Sequence, residues 1–137
     1  MRDTEAMLTD ADYAALADFR FALREFQAFS EARAIEIGLT PQQHQALLAL
    51  RSASPDAATV GRLAQQLMLK PQSASGLADR LERLGLVQRE PATGDRRRTL
   101  LGLTDKAHRH LATLSAVHRD QIRRLRPTLE GILASIG

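Results

Sequence analysis

The 137-residue chain has no cysteine and no tryptophan, one tyrosine and four phenylalanines. Without cysteine it can form no disulfide, thiol redox switch or cysteine-ligated zinc site. No apolar run approaches the roughly 20 residues of a membrane-spanning helix. The opening, MRDTEAMLTD, does not read as a secretion signal, so the cytoplasm is the expected location. Signatures of catalysis are missing too. There is no phosphate-binding glycine loop, no HExxH and no nucleophile elbow. The histidines form no ligand set: His108 and His110 are too close to share a helix face, and His44 is far off in sequence. Neither catalysis nor a metal or cofactor is expected, and a small enzyme is the remotest alternative.

What is present favours helices. Apolar residues make up 44% of the chain, with leucine and alanine dominant. That supports one small core, and a small helical domain with long arms often completes its core by oligomerising. The formal net charge is +3 and the pI near 10.2, but placement matters more. Residues 1–38 carry four arginines against eight acids, while residues 70–98 carry seven basic residues against four acidic. The positive field belongs to the middle of the chain and not to its first arm.

After a polar start over residues 1–10, a helical pattern runs from about Asp12 to Ile37. Leu16, Phe19, Leu23 and Phe26 form its stripe, Tyr13, Ala17, Phe21 and Phe29 widen it, and Gly38 stops it. So wide an apolar surface points to a dimer arm. Thr40-Pro41-Gln42-Gln43 has the form of a capping box with proline at the first helical position. Thr59 caps a short helix over 59–67 whose buried side is Val60, Leu63, Ala64 and Leu67. Pro71 opens the next helix, with Ala74, Leu77, Leu81 and Leu84 inward, and Gly85 ends it. Residues 86–89 read as a strand, Pro91 to Asp95 as a turn, and Arg97 to Leu103 as the return strand. Thr104 caps a long helix to about Arg126. Its seam runs through Leu111, Leu114, His118, Ile122, Leu125, Leu129 and Ile132, with Pro127 as a kink or a fresh start. His118 falls inside that seam, where a satisfied, buried histidine is the plainest reading.

Two short helices followed by a basic hairpin make the plan of a winged helix-turn-helix. The expected fold is therefore mainly α, with a two-stranded β wing and N- and C-terminal helices for dimerisation. The second short helix exposes Gln72, Ser73, Ser75 and Gly76 early. Glutamine can pair with adenine and serine with a base edge or phosphate. Gly76 weakens the helix, which close approach to a partner or a tight helix–helix contact would explain. Lys70 and Arg80 can reach phosphates, and the helix start offers N–H groups. In the hairpin, strand alternation would put Arg96 and Arg98 on one side and Arg97 on the other, with Asp95 bracing the tip. Arginine suits phosphate and narrow minor grooves. A protein-interaction or architectural winged helix is the main alternative, kept open by the uncharged start of helix 71–84.

Several of these segments, in this order, resemble the MarR family of transcriptional regulators. They are Leu39 to Gln43, Leu63-Ala64 with Leu67, Ala78-Asp79-Arg80-Leu81-Glu82-Arg83-Leu84-Gly85-Leu86-Val87 with Arg89, and Asp95-Arg96-Arg97 followed by Leu103-Thr104. The resemblance implies one protomer over 1–137, with a DNA-binding lobe at 39–104 and dimerisation helices at 11–38 and 105–137. It also implies a homodimer on a pseudo-palindromic operator in double-stranded DNA, most often a repressor released by a small, often aromatic, anion. Ser73, Ser75 and Gly76 would occupy major-groove positions, Arg97 the minor groove, and Asp95 would orient the tip. Gly76 departs from the arginine or long side chain of many relatives, and Ala107 from a frequent glycine. His44 stands where an aromatic is common, and the lack of cysteine excludes cysteine-based peroxide sensing.

Arg20 and Arg24, one turn apart on the first helix, could meet an anionic effector or pair with nearby acids. Tyr13 and His44 are possible pocket-lining groups on family analogy alone.

Overall fold

The computed structural model describes residues 7–92 and 94–136, apart from the side chain of Arg96. Its elements are α1 (Asp10–Glu36), α2 (Pro41–Arg51), α3 (Val60–Leu67), α4 (Pro71–Arg83), β1 (Val87–Ala92), β2 (Asp95–Leu103) and α5 (Asp105–Ser135). The fold is mainly helical with a two-stranded wing. The polar start falls partly on residues 1–6, outside the described residues. The chain divides into two compact units, Met1–Ala32 with Ala116–Gly137, and Arg33–Ser115.

In the first unit, α1 begins earlier than its apolar stripe suggests, because Thr9 and Asp12 cap it reciprocally. Thr9 N–H donates to Asp12 at 2.9 Å and Asp12 N–H to Thr9 Oγ1 at 3.2 Å. In α1, Ala15 and Ala22 are buried, while Leu16, Phe19 and Leu23 of the expected stripe stay more than 40% exposed. α5 runs through Pro127 as one helix, so no fresh start is needed there. His118 Nε2 lies 2.8 Å from Ser30 Oγ, edge-on to the rings of Phe26 and Phe29 at 5.9 and 5.6 Å. This satisfies the histidine within one chain.

The second unit holds the larger core, centred on Leu47, Leu63, Leu77, Leu81, Leu86 and Leu101. Local chemistry sets its helix boundaries. Thr40 and Gln43 form the reciprocal capping box at α2, at 3.1 Å in both directions. Thr59 Oγ1 accepts from Arg62 N–H at 3.2 Å and caps α3. Arg62 in turn reaches back to Ala49 O and Ser52 Oγ, both at 3.4 Å, fastening α3 to the end of α2. Between α3 and α4 the chain turns at Met68, whose φ of 54° and ψ of 45° are left-handed. α4 ends at Gly85, with φ +73° and Leu86 N–H donating to Leu81 O at 2.9 Å. Leu84, expected inside, is 44% exposed, because it is already the C-cap and has rotated off the buried stripe.

The hairpin departs most from expectation. β1 continues through Pro91 and Ala92, and β2 begins at Asp95, so both ends of the expected Pro91–Asp95 turn belong to strands. Thr93 lies outside the described residues; Gly94 has φ +84°. Val87 pairs with Leu103 and the register holds to Pro91 with Thr99, but Ala92 then pairs with Asp95. Arg96, Arg97 and Arg98 have no ladder partner among the described residues, and the register shift between Pro91 and Ala92 breaks the simple alternation expected of them. One further main-chain bond, Leu101 N–H to Ala58 O at 2.8 Å, ties β2 to the segment before α3.

Candidate nucleic-acid interface

α4 separates two faces. Ala74, Leu77, Ala78 and Leu81 are buried, while Gln72, Ser73, Ser75 and Arg80 are exposed and Gly76 half-buried. The polar residues read from the sequence thus lie together on the open side. Lys70 is the exposed N-cap and supplies no side-chain acceptor to the first N–H groups of α4. An outside anion can meet them. Glycine inside a helix costs about 1 kcal/mol relative to alanine. The nearest contact for a Cβ at Gly76 is the Arg80 guanidinium, at 3.7 Å, so no tight helix–helix contact requires the glycine.

The three wing arginines have different surroundings. Arg97 is 95% exposed on its side chain and touches only Asp95 among the described residues, with Nε 3.7 Å from Oδ1. The same carboxylate oxygen accepts from Arg97 N–H at 3.0 Å, so Asp95 shapes the backbone beneath the arginine. Arg98, expected on the same side as Arg96, donates to Asp56 O at 2.7 Å. It braces the wing against the loop before α3. The side chain of Arg96 lies outside the described residues.

Sequence reasoning missed what joins the wing to the helix. Arg89 on β1 donates to Asp79 Oδ1 at 2.8 Å and Glu82 Oε1 at 2.7 Å on α4. These bonds hold its guanidinium above the ordinary arginine pKa, the Asp79 bond contributing most and partial burial opposing. They also occupy the two acids that would otherwise repel a polyanion at α4. At the base of the wing, Lys106 Nζ donates to Leu84 O at 2.8 Å and Thr104 Oγ1 to Gly85 O at 2.7 Å, capping the end of α4. Two acids three residues apart, Asp79 and Glu82, share a helix face and were a visible hint; their pairings with Arg89 span ten and seven residues across a turn and need the fold.

Three of the expected effector residues lie on α1 and the fourth on α2. Arg20 and Arg24 are exposed on α1 and make no salt bridge among the described residues, and Tyr13 is 59% exposed. A cavity of about 450 Å³ in the first unit is lined by Asp18, Phe21, Glu25 and Thr128, among others, but by none of those three. His44 belongs to the second unit and is buried in α2. Among the described residues no cluster of acids and histidines could hold a metal, and no helix is long and apolar enough to cross a membrane.

Comparison with known proteins agrees with this architecture. The sequence model described as the MarR family matches residues 37–98, from the end of α1 to the wing arginines. The transcriptional activatory protein BadR of Rhodopseudomonas palustris is 43% identical over 81 residues, covering 58% of this chain and 46% of BadR. The chain spans about half the length of the curated relatives it matches. A probable transcriptional regulator from Pseudomonas aeruginosa is 30% identical, with 87% of this chain and 93% of that one covered and a TM-score of 0.61. AbsC, a MarR family transcriptional regulator from Streptomyces coelicolor, is 25% identical, with 90% and 83% covered and a TM-score of 0.70. Its wing, its helix pair and its matched sequence together place this chain in the MarR family of winged helix-turn-helix proteins.

Proposed function

We propose that the protein is a homodimeric, sequence-specific regulator of transcription. It binds a pseudo-palindromic operator in double-stranded DNA as a repressor and is released by a small anion. The observation that carries this reading is the pairing, within one compact unit, of an open polar ridge on α4 with an almost fully exposed Arg97 on the wing. In this reading Gln72, Ser73, Ser75 and Gly76 meet major-groove edges, and Lys70 and Arg80 add positive charge. Arg97 enters the minor groove, with Asp95 setting its backbone and Arg96 adjoining it in β2. The lobe is the stretch 39–104.

Dimerisation is supported by the first unit, which leaves Tyr13, Leu16, Phe19, Phe21 and Ile122 more than 40% exposed. A second copy of the same arm is the natural cover for such a surface. The helices 11–38 and 105–137 are assigned to this role. Release is assigned to an anion meeting Arg20 and Arg24 on α1, with Tyr13 of the same helix beside them. The family is one of regulators rather than enzymes.

The test is fluorescence anisotropy with the protein's own upstream DNA and a scrambled duplex at several salt concentrations. Specific binding should exceed the scrambled background at least a hundredfold, and should fall steeply with salt. Equal affinity for both duplexes would favour an architectural module and sink the operator reading. A panel of aromatic acids added to the same assay tests release. The likeness to BadR, named for activation, favours a second sign of regulation from the same contacts. A reporter fused to the bound promoter decides it by rising or falling when the gene is deleted.

A further inference from the structure

Gln72, Gly76 and Arg80 lie at i, i+4 and i+8 on α4, so they form one ridge on its open face, with Ser73 beside it. Helical side chains lean toward the N-terminus, and Arg80 lies back over Gly76. A Cβ at Gly76 would meet the Arg80 Nη1 atom at 3.7 Å and no core atom within 4 Å. The glycine is therefore not demanded by packing of α4 on its neighbours. A Cβ alone would only touch the guanidinium, whereas a longer side chain at this position would extend into the space the guanidinium occupies.

Arg80 is also an exposed cation on this face with no salt bridge among the described residues, as are Lys70 and Arg83. Asp79 and Glu82, the acids beside it in sequence, are both engaged by Arg89. Arg80 itself is exposed and makes no salt bridge among the described residues. An unpaired planar fork on the open face of a groove-entering helix matches two parallel acceptors. In the major groove that pair is O6 and N7 of guanine. We infer that Arg80 is the principal base-reading residue of α4, recognising one guanine in each half-site, and that the lack of a long side chain at Gly76 leaves its guanidinium room. The inference rests on the proposed DNA binding and assigns its sequence choice.

The experiment is selection of bound sites from random duplexes by the full-length protein and its Arg80→Ala, Arg80→Lys and Gly76→Leu variants. The unaltered protein should select half-sites with a fixed guanine. Arg80→Ala should accept all four bases there, losing roughly tenfold or more in discrimination. Arg80→Lys should retain part of the preference, because an ammonium lacks the fork. Gly76→Leu should lose the same guanine with its helix content intact by circular dichroism. Persistence of the guanine in Arg80→Ala overturns the inference. So does an equal loss of affinity on every sequence, which would mark a phosphate contact. If the unaltered protein selects no sequence at all, the DNA-reading proposal itself fails, and the inference falls with it.

Discussion

Arg89 on the first wing strand holds two carboxylates of α4 at once, Asp79 Oδ1 at 2.8 Å and Glu82 Oε1 at 2.7 Å. Hairpin and helix are thereby joined by a two-point charged contact outside the core. All three side chains are partly exposed, so solvent screens the gain. Arg89→Ala should lower the unfolding free energy by about 1 kcal/mol, with the loss shrinking as salt rises. Urea titrations at low and high ionic strength measure this, and a salt-independent loss would contradict the electrostatic account. The arginine pKa is raised by folding, so its contribution is complete below the unfolded value and is lost only as pH climbs through the folded one. Alkaline titration up to pH about 10 should therefore leave the contact intact.

Arg97 has the opposite character, since its side chain is 95% exposed and meets only Asp95 among the described residues. Its replacement by alanine should change stability by less than about 0.5 kcal/mol. Under the proposed function the same change should weaken DNA binding across all sequences and reduce the salt slope by about one. Unaltered affinity would remove Arg97 from the interface. Paired urea and anisotropy measurements on one preparation separate the two effects.

The parts legible in the sequence are those decided within a few residues. Thr40 with Gln43, Thr59 before α3 and Gly85 after α4 act through local hydrogen bonds or a positive φ, and each stands where its residue type requires. The wing was less legible. Pro91 signals a turn on its own, yet it sits in β1 of a two-stranded sheet, where a missing N–H is tolerated at an edge. The roles of the three consecutive arginines depend on a register shift that no alternation rule predicts. Arg98 finds its acceptor at Asp56, 42 residues away, which only the folded chain brings near. For α1 the sequence showed the apolar stripe but not which of its residues the chain covers by itself: Ala15 and Ala22 are buried, whereas Leu16, Phe19 and Leu23 remain exposed.

Met68 carries backbone strain that can be removed. Its φ of 54° places a branchless but Cβ-bearing residue in the left-handed region, and its side chain is 93% exposed. Nothing in the core would be lost with it. Met68→Gly should therefore stabilise the protein by roughly 0.5–1 kcal/mol, the relief of strain exceeding the added freedom of the unfolded chain. The urea midpoint should rise at constant slope. A fall would show that the exposed thioether contributes packing, for instance against a second copy.

Arg98 should behave as a brace. Its bond to Asp56 O at 2.7 Å and the neighbouring Leu101 N–H bond to Ala58 O at 2.8 Å both tie the wing to the segment before α3. Removing the first should loosen the second. Arg98→Ala is expected to cost about 1 kcal/mol, as for a partly solvated charged hydrogen bond. It should also speed amide exchange at Leu101 while leaving the buried turns of α4 protected. Exchange resolved by residue reads this directly. Unchanged protection at Leu101, combined with a drop in DNA affinity like that of Arg97→Ala, would move Arg98 from the brace to the interface. Faster exchange at Leu101 keeps the two arginines in separate roles: one holds the wing in place, and the other is what the wing presents.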